Sequence, residues 1–349
     1  MRYRHAKKSS NRSVYISRLI IFPLVIFLII VLLNRSSDFL TIQGNGKEYY
    51  YQKSISPPDA ENQYDVIYYD LNLEVRFSPD LKNNEITGFN RIFFVSRKSP
   101  LRKIVLNFNS AMSVDSISGM GLSYLHKDGL LYVELNRELK QNEKGVVTVY
   151  FSGWPKPYHP WLGGWNFTTR LRDSDFEEIP WVATMNPPFG AQTWFPSKDI
   201  PSDKADSVTI RITVPDSLQA ISNGVLIKKV PLSENRVQYV WKEKYPIATY
   251  LMAVNISQYK EYVWEYSHPQ FPSFPVYFYG FEEDTAVFDT IRAQLESMLD
   301  YYQSLLGAYP FNEEKYAMIK YNTTGGMENN TITSVQGFQP DRRNLYAHE

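Results

Sequence analysis

The 349-residue chain contains no cysteine. That excludes disulfides, thiolate nucleophiles and cysteine-ligated zinc, and leaves any metal to histidine and carboxylates. Histidine is scarce as well: His5, His126, His159, His268 and His348 are spaced too widely for two of them to share a helix face. An excess of either charge is also missing. Lys plus Arg and Asp plus Glu number 37 each, which gives no footing for nucleic acid or for a wholly acidic or basic partner. What is there is apolar matter, 43% hydrophobic and 15% aromatic, enough for a large core and, by length, about two domains.

The N-terminus reads as an address. Arg2, Arg4, Lys7, Lys8, Arg12 and Arg18 precede an uncharged apolar run from Leu19 to Leu33, and no acidic residue comes before Asp38. The positive-inside rule keeps such a start in the cytoplasm. Fifteen helical residues span about 22 Å against a hydrocarbon layer of about 30 Å, a length that suits a signal-peptide core as well as a short anchor. The stretch Asn34-Arg35-Ser36-Ser37-Asp38 lacks a small-x-small cleavage pattern, and Val14, Tyr15 and Ile16 can lengthen the apolar helix. The expectation is a cytoplasmic tail over 1–18 and a signal anchor, or transmembrane helix, over 19–33. The bulk of the chain is then exported to the periplasm or exterior, and is secreted if the segment is cleaved.

Residues 34–63 carry Asn, Ser, Gly, Gln and Pro with little periodicity and read as a linker. From Ile67 the pattern changes. Tyr69, Leu71, Leu73, Val75 and Phe77 alternate with Tyr68, Asp70, Asn72, Glu74 and Arg76, the signature of a half-buried strand. Similar runs recur at 86–95, 104–108, 131–135, 146–151, 208–214 and 237–241 without intervening helices, which implies antiparallel sheets packed as a sandwich or saddle. Near residue 260 the character shifts. Val287, Ile291, Leu295, Met298, Tyr302 and Leu305 predict an amphipathic helix from about 285 to 306, ended by Gly307. A β-rich segment at 316–320 follows, so strand, Gly-containing turn, strand and helix start form the context of residues 325–349.

In that context stand Gly325-Gly326-Met327-Glu328-Asn329 and, twenty residues below Glu328, His348-Glu349. The chain here resembles the aminopeptidase N family of zinc metallopeptidases, peptidase family M1, which pairs a Gly-x-Met-Glu-Asn exopeptidase motif with a downstream His-Glu-x-x-His. The first motif is complete and the second is represented by its first half. The run from Trp194 to Ala205, Trp-Phe-Pro-Ser-Lys-Asp-Ile-Pro-Ser-Asp-Lys-Ala, is similar to a stretch of that family's N-terminal β-domain. Ala220 to Gly224 and Pro246 to Leu251 look like two further segments in the expected order. The resemblance implies a mainly β N-terminal saddle or sandwich domain over 64–258, followed over 259–349 by an incomplete α/β thermolysin-like (gluzincin) domain.

The resemblance also assigns roles. His348 is the first ligand of a single zinc ion and Glu349 the general base on zinc-bound water, since two histidines four apart on a helix grip one metal beside such a glutamate. Glu328 pairs with the substrate's free α-ammonium, a charge-assisted contact that makes the enzyme an exopeptidase. Gly325 and Gly326 let the backbone pass close to substrate, Met327 and Asn329 complete the substrate-binding pentad, and the strand 331–335 is expected to pair with the peptide backbone. Within the β-domain segment, Trp194 and Phe195 are expected in the core and Asp199 and Lys204 as charges at the surface or an interface.

One departure bears on amine recognition. Where the family generally places a Gln or Glu, this chain has Pro187, with Asn186 beside it as a conceivable substitute. The second His, the third zinc ligand and the oxyanion-stabilising tyrosine have no counterpart within these 349 residues. The expectation is therefore a zinc aminopeptidase by family, acting on peptides with a free N-terminus, that is inactive and holds zinc poorly as given. The competing reading is a non-catalytic, membrane-tethered β-sandwich that binds peptides or a protein partner. A third is an epoxide-hydrolysing relative, which shares the Gly-Gly-Met-Glu-Asn form. Retention of His348 and Glu349 beside an intact pentad favours the enzyme.

Overall fold

The computed structural model describes residues 39–44, 47–52, 62–157 and 163–349. The tail and anchor expected over 1–33 lie outside the described residues. Among those described, no helix is long and apolar enough to cross a membrane. Inside the stretch read as a linker, Phe39–Gly44 and Lys47–Gln52 pair as an antiparallel hairpin. This hairpin belongs to a contact unit of its own, separate from 54–349.

Residues 64–258 fold around the strand foreseen from its alternation, Tyr64–Phe77. Tyr64 and Val66 face inward, a bulge between Val66 and Tyr68 reverses the phase, and Tyr69, Leu71, Leu73 and Val75 then face inward, each 1% exposed or less. This strand is central in a seven-stranded sheet ordered Val225–Leu232, Arg236–Glu243, Ser207–Pro215, Tyr64–Phe77, Asn84–Ser96, Lys144–Gly153, Met112–Gly119. The neighbours run antiparallel with one exception. Ser207–Pro215 lies parallel to Tyr64–Phe77, a pairing that needs a long crossover, here the intervening residues 78–206, and that alternation alone cannot foretell. A three-stranded and a four-stranded antiparallel sheet and the short antiparallel pair Lys204–Ala205 with Ile247–Ala248 complete the region.

Trp194 and Phe195 lie in the core, fully buried with ring centroids 4.4 Å apart. Asp199 departs from expectation. It is neither at the surface nor at an interface but buried among residues of 64–258, because its carboxylate has partners there: it accepts from Gln192 N at 3.1 Å and Thr249 Oγ1 at 2.7 Å. Burial pushes its carboxyl up to about 7. Lys204 is exposed as expected. Lys198 and Asp203 form a second buried polar feature, an ion pair in which Lys198 Nζ also donates to Tyr64 O at 2.6 Å.

Residues 259–349 build a five-stranded mixed sheet ordered Lys260–His268, Phe271–Gly280, Tyr316–Lys320, Thr333–Val335, Gly326–Met327. The helix Phe288–Leu306 is preceded by a 3-10 turn, Glu282–Val287, and ended by Gly307 with φ +91°. Its buried stripe is Phe288, Ile291, Leu295, Leu299 and Gln303. Steps of four drift about 40° each around a helix of about 3.6 residues per turn. The stripe therefore leaves Tyr302 and Leu305, expected in the core, 38% and 62% exposed. The helix packs on Phe274, Phe278, Met318 and Val335 in a core distinct from that of the β-domain.

Candidate active site

Two turns bring the motif residues together. Tyr316–Lys320 runs parallel to Thr333–Val335, and Gly326–Met327 returns antiparallel along the other side of that strand, Met327 opposite Ser334 and Gly326 opposite Val335. The reversal between them needs Gly325 in the left-handed region, φ +82°, with its carbonyl accepting from Gln336 N at 3.0 Å. Asn322 ties the turn to the β-domain by donating to Trp181 O at 2.9 Å and Asn166 O at 3.2 Å. Met327 and Asn329 point inward, Asn329 Nδ2 meeting Ser334 Oγ at 3.1 Å, while Glu328 between them is exposed.

His348 and Glu349 come from the helix Arg343–His348. Its anchor is Tyr346, 4% exposed, whose hydroxyl lies 3.0 Å from Gly337 O and accepts from Gln339 N at 2.6 Å. Tyr302 OH donates to Ala347 O at 2.6 Å, and Glu349 N closes the last turn on Leu345 O at 3.0 Å. His348 is exposed and Glu349 half-buried, its carboxylate lying against Gly326 where a side chain on that glycine would begin.

The electrostatics follow from this seating. Burial raises the Glu349 carboxyl above its ordinary range, the charge of Glu328 raises it further and His348 works the other way. Glu349 Oε2 is buried without a hydrogen-bond partner. Tyr316, behind it, is pushed up to about 12 by burial, with Glu349 contributing. On the β-domain side, partial burial and then the Glu328 charge raise Tyr250. The pentad and the His-Glu pair thus form one acidic neighbourhood. A groove of about 630 Å³, lined by Leu295, Met298, Leu299, Tyr309 and the turn 346–349, opens beside it. Two further cavities, about 510 and 750 Å³, lie away from these motifs.

Two expectations change. Thr333–Val335 is bonded on both edges, so it has no free edge for a peptide; the open edge is that of Gly326–Met327. Asn186 is not available to substitute for the family's Gln or Glu. It is fully buried, donating to Met252 O at 2.8 Å and accepting from Trp194 Nε1 at 3.1 Å. Sequence reasoning also missed Asn330 and Thr331, which pin the pentad to the β-domain. The signal at Thr331 would have been a non-glycine residue at a left-handed position, invisible without backbone angles.

The model of the peptidase M1 N-terminal domain matches residues 62–251, more than half of the chain. The chain belongs to the peptidase M1 family. Among solved structures, the M1 chain resembles an M1 zinc metallopeptidase from Deinococcus radiodurans at 19% identity with a TM-score of 0.70, covering 83% of this chain and 63% of that one. A mutant of that enzyme bound to the substrate Tyr-Ser-Ala superposes with a TM-score of 0.68 at 20% identity, covering 82% and 64%. A two-domain M1 zinc metallopeptidase mutant bound to L-tryptophan gives 0.67 at 20% identity, covering 82% and 64%. The M1 chain thus spans less than two thirds of the length of these structures. No curated protein matches it.

The family is one of zinc metallopeptidases, and the donor set can be set against that metal. A catalytic zinc takes three protein ligands. Among the described residues no three of His, Asp or Glu gather in a way that holds a metal ion. His348 offers one imidazole. His126 is stacked on Phe108, with Nε2 2.9 Å from Phe108 O, and His268 Nδ1 accepts from Gln270 N at 3.1 Å. The described residues therefore do not make a catalytic zinc site by themselves.

Proposed function

We propose that the chain carries the N-terminal domain and the substrate-binding edge of a zinc aminopeptidase that removes single residues from peptide N-termini. In this reading Glu328 receives the α-ammonium of the substrate, Gly325 and Gly326 admit its backbone, His348 is a zinc ligand and Glu349 the general base. The observation that carries the reading is the seating of Glu349 against Gly326 with Glu328 beside them. A metal-site helix and an amine-binding pentad that served unrelated ends would have no reason to meet. The bound Tyr-Ser-Ala of the structural neighbour supports a peptide as substrate class.

The 349 residues on their own are proposed to bind free peptide amines weakly and to turn nothing over, because one imidazole does not hold catalytic zinc. The test is an NMR titration of the chain with Tyr-Ser-Ala and its N-acetylated form, alongside an aminoacyl-anilide assay with added zinc. A preference for the free amine that disappears in Glu328→Ala, without turnover, is expected. Equal binding of both peptides would refute the role of Glu328, and chelator-sensitive turnover would refute the inactivity. The basic start and the run Leu19–Leu33 support export with the N-terminus left in the cytoplasm and a membrane anchor. Fusing residues 1–63 to a reporter active only outside the cytoplasm tests this, and an inactive reporter would refute it.

A further inference from the structure

The pentad does not hold itself in place. On one side of Glu328 the ladder of Gly326–Met327 with Ser334–Val335 fixes the chain. On the other, a turn closed by Ile332 N donating to Asn329 O at 3.2 Å leads into Thr333–Val335. The middle of that turn, Asn330 and Thr331, is buried and bonded to the β-domain. Asn330 O accepts from Asn223 Nδ2 at 2.7 Å, and Asn330 Nδ2 donates to Pro246 O at 3.3 Å. Thr331 Oγ1 accepts from Gly224 N at 2.7 Å and lies 3.1 Å from Glu243 Oε2 and 2.7 Å from Asn330 O.

Thr331 adopts this place against its own preference. Its φ is +61°, a region that a β-branched residue rarely enters and keeps only when its surroundings impose it. The imposing contacts are those of the hydroxyl. With one proton to give, it donates to either Asn330 O or Glu243 Oε2, while a lone pair accepts from Gly224 N. Gly224 reaches it because it has no side chain: a Cβ there would collide with Lys242 O. We propose that Thr331 is a positioning residue for Glu328, its hydroxyl fastening the turn that sets the amine-binding carboxylate beside Glu349. This rests on the role given to Glu328 above.

Ala-Ala-Ala and N-acetyl-Ala-Ala-Ala, titrated into the 349-residue chain and followed by NMR, test it. Wild type is expected to prefer the free amine by about tenfold, the worth of one charge-assisted contact. Thr331→Ser keeps the hydroxyl and should keep the preference. Thr331→Gly suits the left-handed backbone, which limits the cost to the fold, but it lacks the hydroxyl and should bring the preference to within about twofold. A glycine variant with the wild-type preference would overturn the positioning role and leave Glu328 as the amine site. A wild-type chain with no preference would overturn both.

Discussion

The carboxylate of Glu349 fills the space in which a side chain on Gly326 would start. The clash is with the far end of a flexible side chain and not with backbone, so a methyl group can be admitted if Glu349 swings away. Gly326→Ala is therefore expected to fold with a loss under about 1 kcal/mol, while a crystal structure of the variant shows the Glu349 carboxylate displaced from the pentad. A melting temperature lowered by far more, or an unmoved carboxylate, would contradict this packing.

Stability should pass through a minimum near neutral pH. Burial, with Glu314 adding to it, pushes Glu243 up to about 8, and burial pushes Asp199 up to about 7. Each holds its proton more tightly folded than unfolded, so its contribution is complete below its ordinary range and is lost as pH rises to the folded value. Burial brings Lys315 down to about 7 against an ordinary 10.5. The unfolded chain binds that proton more tightly, so stability is recovered between the two values. Urea midpoints near pH 5, 7 and 9.5 should fall and then rise. Glu243→Gln should remove about 1.4 kcal/mol per pH unit from the falling limb, and an equally steep limb in that variant would exclude Glu243 as its source.

Lys198 and Asp203 offer a test of how the β-domain tolerates a charge pair in its interior. Lys198 Nζ also lies 4.7 Å from the centre of the Tyr64 ring, and Asp203 Oδ1 accepts from Val66 N at 3.3 Å. Removing one partner strands the other, so Lys198→Met or Asp203→Leu alone should cost about 3–5 kcal/mol, and the double variant far less than their sum. A double-mutant cycle by urea unfolding measures this; additive losses would mean that the two charges act independently.

Where burial follows a period, the architecture was legible in the sequence. The strand Tyr64–Phe77 announced itself by alternation, the helix Phe288–Leu306 by its apolar stripe, and the pentad by residue type. What stayed hidden depends on contacts between distant segments. The parallel pairing of Ser207–Pro215 joins strands over a hundred residues apart, Asp199 is buried against Thr249 and a backbone amide, and Asn186 is engaged by Met252 O and the Trp194 ring nitrogen, none of which has a periodic signature. Thr331 is the plainest case, because residue type argues against the conformation it adopts. The pentad could be read as a motif; its fastening to the β-domain could not.

Zinc retention follows from the donor set. With His348 the one imidazole near the pentad among the described residues, and Glu349 and Glu328 the carboxylates beside it, the chain should hold well under one zinc per molecule after dialysis against metal-free buffer. Elemental analysis of the dialysed protein checks this. Stoichiometric zinc would mean that the described residues gather a third ligand by rearrangement.

The sheet edge makes the last prediction. Gly326–Met327 ends the five-stranded sheet, and the backbone on its far side has no strand against it among the described residues. Met327 is 2% exposed and faces inward, so an incoming peptide would meet main chain there, and strand addition takes its affinity from main-chain hydrogen bonds. A peptide whose free amine reaches Glu328 then lies with its next backbone amide along this edge. Methylating that amide nitrogen, in Tyr-(N-methyl)Ser-Ala, removes a donor and should weaken binding to the 349-residue chain by about fivefold to tenfold, the worth of one net hydrogen bond. Methylating the C-terminal amide of a longer peptide, beyond the two-residue strand, should leave binding unchanged. Equal losses from both peptides, or none from the first, would show that the edge is not where the substrate backbone lies.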